Sequence, residues 1–277
     1  MLRRILLLLD ETPSSVAARQ YAFRLAQEMN AELAGLAGVD LSFIEAPMPG
    51  GLGTAAYQAK LEVQLRTQAE ASRARLHQTY ERECKEHGLA FEWLSFEGDA
   101  IAALYLATET RDLMITGHDT AFHGKVHDRL SELLGKLLLL TPRPLIVCAD
   151  EVTAAREVLI AYDGSVPAMR AVQMCALFGL GRGRRIHVTS IDASQELAAR
   201  RAAGAAGFLR SHGYDVEASP ISSRVHPAEV LRIEVADRNS GTLVMGAYGH
   251  RGFHELLFGS TTAALVENPP CALFVYH

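Results

Sequence analysis

Cysteine is scarce in this chain and carries no pattern. Cys84, Cys148, Cys175 and Cys271 show neither CxxC nor zinc-finger spacing, which argues against a disulfide framework or a structural zinc site and predicts reduced thiols in a cytoplasmic protein. Long apolar runs are missing as well. Ile5–Leu9 and Leu137–Leu140 are bounded by charges and fall far short of the roughly 20 residues a membrane-spanning helix needs, so no membrane partner is expected. The opening Met1-Leu-Arg-Arg precedes an apolar run that stops at Asp10 with no small-residue cleavage site after it; a buried first strand is expected there, not a signal peptide. Positive charge is not in excess either. The formal net charge is −5 and the pI about 6.1, which argues against nucleic acid as a partner and requires any phosphate recognition to be local. Nothing in the sequence reads HExxH or as a nucleophile elbow, and the glycine segments at Gly117–Gly124 and Gly246–Gly252 lack a terminal Gly-Lys-Ser/Thr. Efficient hydrolysis is therefore not expected, only weak ATPase or self-phosphorylating activity at Ser260 or Thr261 at most.

What is present is a repeat. At 277 residues and 49% hydrophobic, the chain is of a size and composition for two globular domains. Arg4–Asp10 and Glu157–Asp163 are both apolar runs of buried-strand length that end on an aspartate. Each is followed by turn and N-cap residues, Thr12-Pro-Ser-Ser15 and Gly164-Ser-Val-Pro167, and then by helical periodicity. Further pairs of expected strands are Glu32–Val39 with Arg185–Asp192, Ala90–Phe96 with Asp215–Ile221, Leu113–Gly117 with Leu243–Gly246, and Pro142–Val147 with Pro270–Val275. The main asymmetry lies after the second strand. There the first copy holds a Pro/Gly loop at Ala46–Gly53 and a long charged helix from about Ala56 to Glu86, the second only about Gln195–Ser211. Alternating strands and helices force parallel strands with right-handed crossovers. The expected fold is α/β: two tandem doubly wound five-stranded parallel-sheet domains, residues 1–150 and 151–277.

In such sheets ligands sit beyond the carboxyl ends of the strands. In the second copy that rule selects Asp163 and the segment Met245–Thr262, with Gly246, Gly249 and Gly259 in the spacing G-x2-G-x9-G and Ser260 and Thr261 directly after. Glycines let backbone N–H groups approach a phosphate. Ala263–Glu267 reads as a helix whose N-terminal dipole would favour an anion. His250 and Arg251 lie on the intervening loop, where Arg251 could pair with phosphate charge or be merely solvated. Asp163 could accept hydrogen bonds from ribose hydroxyls or a base amino group, or simply form a turn.

Strand-aspartate, tandem α/β halves and G-x2-G-x9-G-S/T together resemble the universal stress protein family in its tandem form, over essentially the whole chain. The resemblance implies an adenine nucleotide alpha hydrolase-like fold packed about a pseudo-twofold axis, with the last strands Leu145–Cys148 and Leu273–Tyr276 paired. It implies an ATP-binding stress-response or signalling protein, with Mg²⁺ accompanying the phosphates. Asp163, Ser190 and Met245 would meet adenosine, while Gly246, Gly249, Gly259, Ser260 and Thr261 would hold the phosphates. An adaptor without nucleotide turnover, a binder of another adenosine nucleotide or of an apolar ligand, and a homodimer of chains all stay open as readings.

The first copy departs from the motif. Gly117 is in register, but Thr120 stands where the second glycine belongs, and alignment back from the last strand puts Ser131 and Glu132 at the Gly-Ser position. A glutamate there would oppose phosphate, so Asp10 is expected to be a vestige. His118, His123 and His127 with Asp119 and Asp128 could ligate a metal or form a solvated loop.

Overall fold

The computed structural model describes residues 1–40, 54–120, 122, 143–247 and 259–277, with backbone alone for 54–58, 61, 62 and 65. In chain order the first half contains β1 (Arg4–Leu8), α1 (Pro13–Met29), β2 (Glu32–Asp40), α2 (Thr54–Glu86), β3 (Glu92–Gly98), α3 (Ala100–Thr108), β4 (Leu113–Gly117) and β5 (Leu145–Cys148). The second contains β6 (Glu157–Ala161), α4 (Val166–Phe178), β7 (Arg185–Asp192), α5 (Gln195–Ser211), β8 (Asp215–Ser222), α6 (Pro227–Asp237), β9 (Ser240–Gly246), α7 (Ser260–Glu267) and β10 (Ala272–Tyr276).

These strands form one ten-stranded sheet in the order β3-β2-β1-β4-β5-β10-β9-β6-β7-β8. Within each half all pairs are parallel. The halves meet through the antiparallel pair β5–β10, with Leu273 opposite Val147, Phe274 opposite Ile146 and Val275 opposite Leu145. The strand order of one half is thus the mirror of the other about the seam, which is the pseudo-twofold pairing expected from the family resemblance.

The repeat extends to the helix caps. Thr12 begins α1 by accepting from Ser15 N at 3.2 Å, and Ser165 begins α4 by accepting from Ala168 N at 3.3 Å, each followed by a proline at the first or second helical position. Both helices end on a left-handed residue, Asn30 and Gly179, which satisfies the last carbonyls. Helices cover both faces of the sheet. Phe23, Tyr80, Cys175, Ala202 and Leu209 of α1, α2, α4 and α5 join one core layer, and Leu104, Leu231 and Leu265 of α3, α6 and α7 join the other. All four thiols are buried and unpaired.

Several strand boundaries differ from expectation by one to three residues, and two of them have a clear local cause. The third strand starts at Glu92, not Ala90, because α2 closes through Gly88 (φ 66) and Leu89 N donates back to Cys84 O at 2.9 Å. The fifth starts at Leu145 because Pro144 has no N–H to give the ladder; its carbonyl instead accepts from Met114 N at 3.1 Å.

Candidate functional site

The carboxyl ends of β6 and β9 converge on the start of α4. Asp163 Oδ1 accepts from Ser165 N at 2.9 Å, an Asx turn that fixes the carboxylate beside the cap. Gly246 lies against the same helix start: a Cβ built there would fall 2.4 Å from Ala168 N and 2.6 Å from Pro167 C. The absence of a side chain at Gly246 therefore has a packing cause independent of any ligand. Gly164 (φ 80) completes the turn, with Arg201 Nε 3.1 Å from where its Cβ would lie. Arg201, on α5, pairs with Asp192 Oδ2 at 2.9 Å. Burial pushes the Tyr162 phenol pKa up, the Asp163 charge adds to this, and Arg201 opposes it.

A second cluster forms at the start of α7. Gly259 is its N-cap and offers no side-chain acceptor, so among the described residues no side chain caps the first-turn amides. Ser260, exposed at the first helical position, has its Oγ 3.0 Å from His226 Nε2. His226 caps α6, its Nδ1 accepting from Ala228 N at 3.3 Å. An Nδ1 that accepts is unprotonated in the neutral ring, so the hydrogen-bond pattern assigns the proton to Nε2. His226 then donates to Ser260 Oγ and leaves the serine proton free to donate elsewhere.

The equivalent region of the first half is closed by its own side chains. Asp10 is 4% exposed; its carboxylate accepts from Glu11 N at 2.7 Å. Glu11 is held by Ser72 at 2.6 Å and by both arms of Arg75 at 2.8 Å, so α2 lies across the loop after β1. Phe122, in the loop after β4, has a positive φ of 45° and is 1% exposed. It packs edge-on against Phe96 at 5.0 Å, in the core layer of Leu8 and Leu36, and its carbonyl accepts from Asp40 N at 3.1 Å. Counting from Gly117 and Gly246, Phe122 occupies the place that Arg251 has in the second half. Gly117 repeats the packing of Gly246, a Cβ there falling 2.6 Å from Ser14 C and Ser15 N.

Of the residues selected from sequence, Asp163 and Gly246 come together at α4, and Gly259, Ser260 and Thr261 at α7. Met245 is 6% exposed in the core layer of α6 and α7. Ser190 is fully buried, and by strand alternation with Ile186 and Val188 faces the opposite layer, with no partner for its Oγ among the described residues. Gly249, His250 and Arg251 lie outside the described residues, as do His123, His127, Asp128, Ser131 and Glu132. His118 pairs instead with Asp150 at 2.9 Å, and Asp119 is close enough to complete a potential three-ligand group. Sequence reasoning passed over His226 and Arg201. His226 had a signal, the Val225-His-Pro-Ala-Glu helix start; Arg201 had none, because its reach back to Asp192 depends on how α5 packs.

Comparison with known proteins gives a family match in the second half and a shared fold over the whole chain. Residues 155–277 match the model of the Universal stress protein family. The universal stress protein Slr1230 of Synechocystis sp. is 26% identical over 160 residues, 56% of this chain and 54% of its own, so the chain spans about half the length of that curated relative. A universal stress protein from Archaeoglobus fulgidus DSM 4304 has a solved structure that superposes with a TM-score of 0.71 at 18% identity, over 99% of this chain and 97% of its own. A Pseudomonas aeruginosa UCBPP-PA14 protein given the same family name superposes at 0.55 with 14% identity, over 99% of this chain and 93% of its own. The solved structures establish a shared fold across both halves.

Proposed function

We propose, from the premise that residues 155–277 belong to the universal stress protein family, that this half holds ATP with Mg²⁺ and acts as a nucleotide-dependent switch in a stress or signalling role. Residues 1–150 are then a second domain of the same architecture kept as a folded partner. The observation that carries the reading is the start of α7, where amides without a side-chain cap among the described residues and the exposed Ser260 hydroxyl, oriented by His226, form a donor cluster suited to phosphate oxygens. Asp163, still partly exposed, has acceptor capacity for a ribose. The orphaned Ser190 hydroxyl is a buried polar atom that a ligand group could satisfy. Gly249 and Arg251 would complete the phosphate loop. Mg²⁺ would ride on the phosphates, since octahedral Mg²⁺ is commonly held by phosphate oxygens and water.

One observation favours the adaptor reading instead. Gly246 is explained by packing alone, and Gly117 repeats that packing in a half without the motif. The two readings separate in a calorimetric titration of Mg²⁺·ATP into the intact chain and a Ser260→Glu variant. A glutamate at a first helical position suits the helix dipole and preserves folding, but places a negative charge where a phosphate would lie. The expected result is one site per chain, weakened at least about tenfold in the variant. Absence of binding would favour the adaptor, and two sites would mean that the first half also binds.

A further inference from the structure

At the amino-terminal ends of β6 and β7, a groove of about 880 Å³ runs between the two halves. The end of α1 contributes Glu28 and Met29, and the end of α4 with the turn leading into β7 contributes Leu177 to Arg185. That turn reads Gly179-Leu-Gly-Arg-Gly-Arg-Arg185 and folds as two successive hydrogen-bonded turns. Arg182 N donates to Gly179 O at 3.2 Å and Arg184 N to Gly181 O at 3.0 Å, with Gly181 (φ 72) and Gly183 (φ 76) at the third positions. A positive φ there is the type II arrangement, which glycine adopts without strain. The spacing gathers three arginines on one short turn, and Arg156, at the foot of β6, adds a fourth to the groove.

The charges in the groove do not cancel. Arg184 is taken by Glu28 at 2.6 Å, Arg185 faces Asp215 at 3.8 Å, and Glu157 is engaged by His187 at 2.8 Å. Arg182 lies over the Tyr214 ring at 5.6 Å. Among the described residues neither Arg182 nor Arg156 has a carboxylate partner. Beside them Leu177 is 61% exposed, an unusual position for a large aliphatic side chain at a helix end, and Phe178 lines the floor. Guanidinium groups without a carboxylate partner among the described residues, next to exposed apolar surface, suit a ligand that is anionic at one end and apolar along its body.

We infer that this groove is a binding site for a small amphipathic organic carboxylate, an acyl or aryl acid, with its carboxylate at Arg156 and Arg182 and its apolar part against Leu177 and Met29. The site is separate from the one proposed for nucleotide. Arg156 and Asp163 stand at opposite ends of β6, about 20 Å apart at the rise of a strand. Because Met1, Glu28 and Met29 belong to the first half and the remaining lining to the second, a bound acid would contact both and favour their present docking.

Fluorescence titration of the intact chain with 8-anilinonaphthalene-1-sulfonate, an apolar ring system with one anionic group, tests this. Saturable one-to-one binding is expected, competed by decanoate and not by inorganic phosphate or Mg²⁺·ATP at the same concentration. An Arg156→Gln, Arg182→Gln double variant should bind about tenfold more weakly, and Leu177→Asn should weaken binding separately; both change exposed residues, and circular dichroism checks their fold. Displacement by Mg²⁺·ATP would put the probe in the other site and overturn the inference. So would unchanged affinity in both variants, or no saturable binding by the unmodified chain.

Discussion

The loops after the first and fourth strands of each half start alike, and the described residues around them then differ. Gly117 and Gly246 both press against a helix start that would collide with any Cβ, and Thr12 and Ser165 both cap that helix. Beyond these points the halves part. Asp10 is buried under a loop that α2 clamps through Glu11, while Asp163 remains partly exposed. The next helix but one is capped by the Asp99 carboxylate in the first half and by the His226 imidazole in the second. An acid there opposes an anion and an imidazole donor welcomes one. What the halves share is demanded by backbone packing; what they do not share is the chemistry. A residue retained in both copies can look functional and be kept by sterics.

This contrast can be broken at several points. Phe122→Ala should have the largest effect, since it empties a fully buried position that plugs the first half; a loss of about 3 kcal/mol is expected in denaturant unfolding. A negligible loss would mean that the plug is not part of the core. Gly117→Ala and Gly246→Ala should each cost about 2 kcal/mol, because the added Cβ overpacks against backbone that cannot rotate away. Similar losses in the two variants support a steric cause, whereas a cost confined to one half would separate their roles. Smallest is Tyr21→Phe. Tyr21 OH of α1 meets Thr242 Oγ1 of β9 at 3.1 Å across the seam, a neutral hydrogen bond worth about 1 kcal/mol. Burial raises the Tyr21 pKa from 10.0 to about 12, so the folded state keeps a proton that the unfolded chain releases. That contribution is fully present below pH 10 and lost as pH rises through about 12. Stability curves for the natural chain should therefore fall more steeply over this window than those of Tyr21→Phe; parallel curves would show that the phenol does not set the alkaline limit.

Most of the fold was legible in the sequence because it rests on periodicity and punctuation. Apolar runs ending on Asp10 and Asp163, the capped helix starts and the repeat itself were enough to give parallel α/β halves, and the family resemblance added the β5–β10 pairing. The site was legible only in part. Asp163 and Ser260 could be picked from local spacing, but Gly246 carries the same signal whether a ligand or a helix lies beside it. Ser190 and Met245 were grouped from the resemblance, yet strand alternation sets them on opposite faces. From the missing glycine and the Glu132 position comes the expectation that the first half does not hold phosphate; the burial around Asp10 is a separate finding. That burial, with Phe122 turned inward and Glu11 bound by Ser72 and Arg75, depends on contacts 61 and 64 residues apart that no window can register.

The antiparallel joint between β5 and β10 has a consequence for how such a molecule behaves at low abundance. Two separate subunits meeting along an edge strand come apart on dilution and re-pair with whichever copy they meet. Here a short connection between Cys148 and Glu157 tethers the two edges, so the local concentration of one for the other does not fall with the concentration of the chain. The two halves are thus delivered in a fixed one-to-one ratio, and neither can be exchanged for a second copy of itself without breaking the joint.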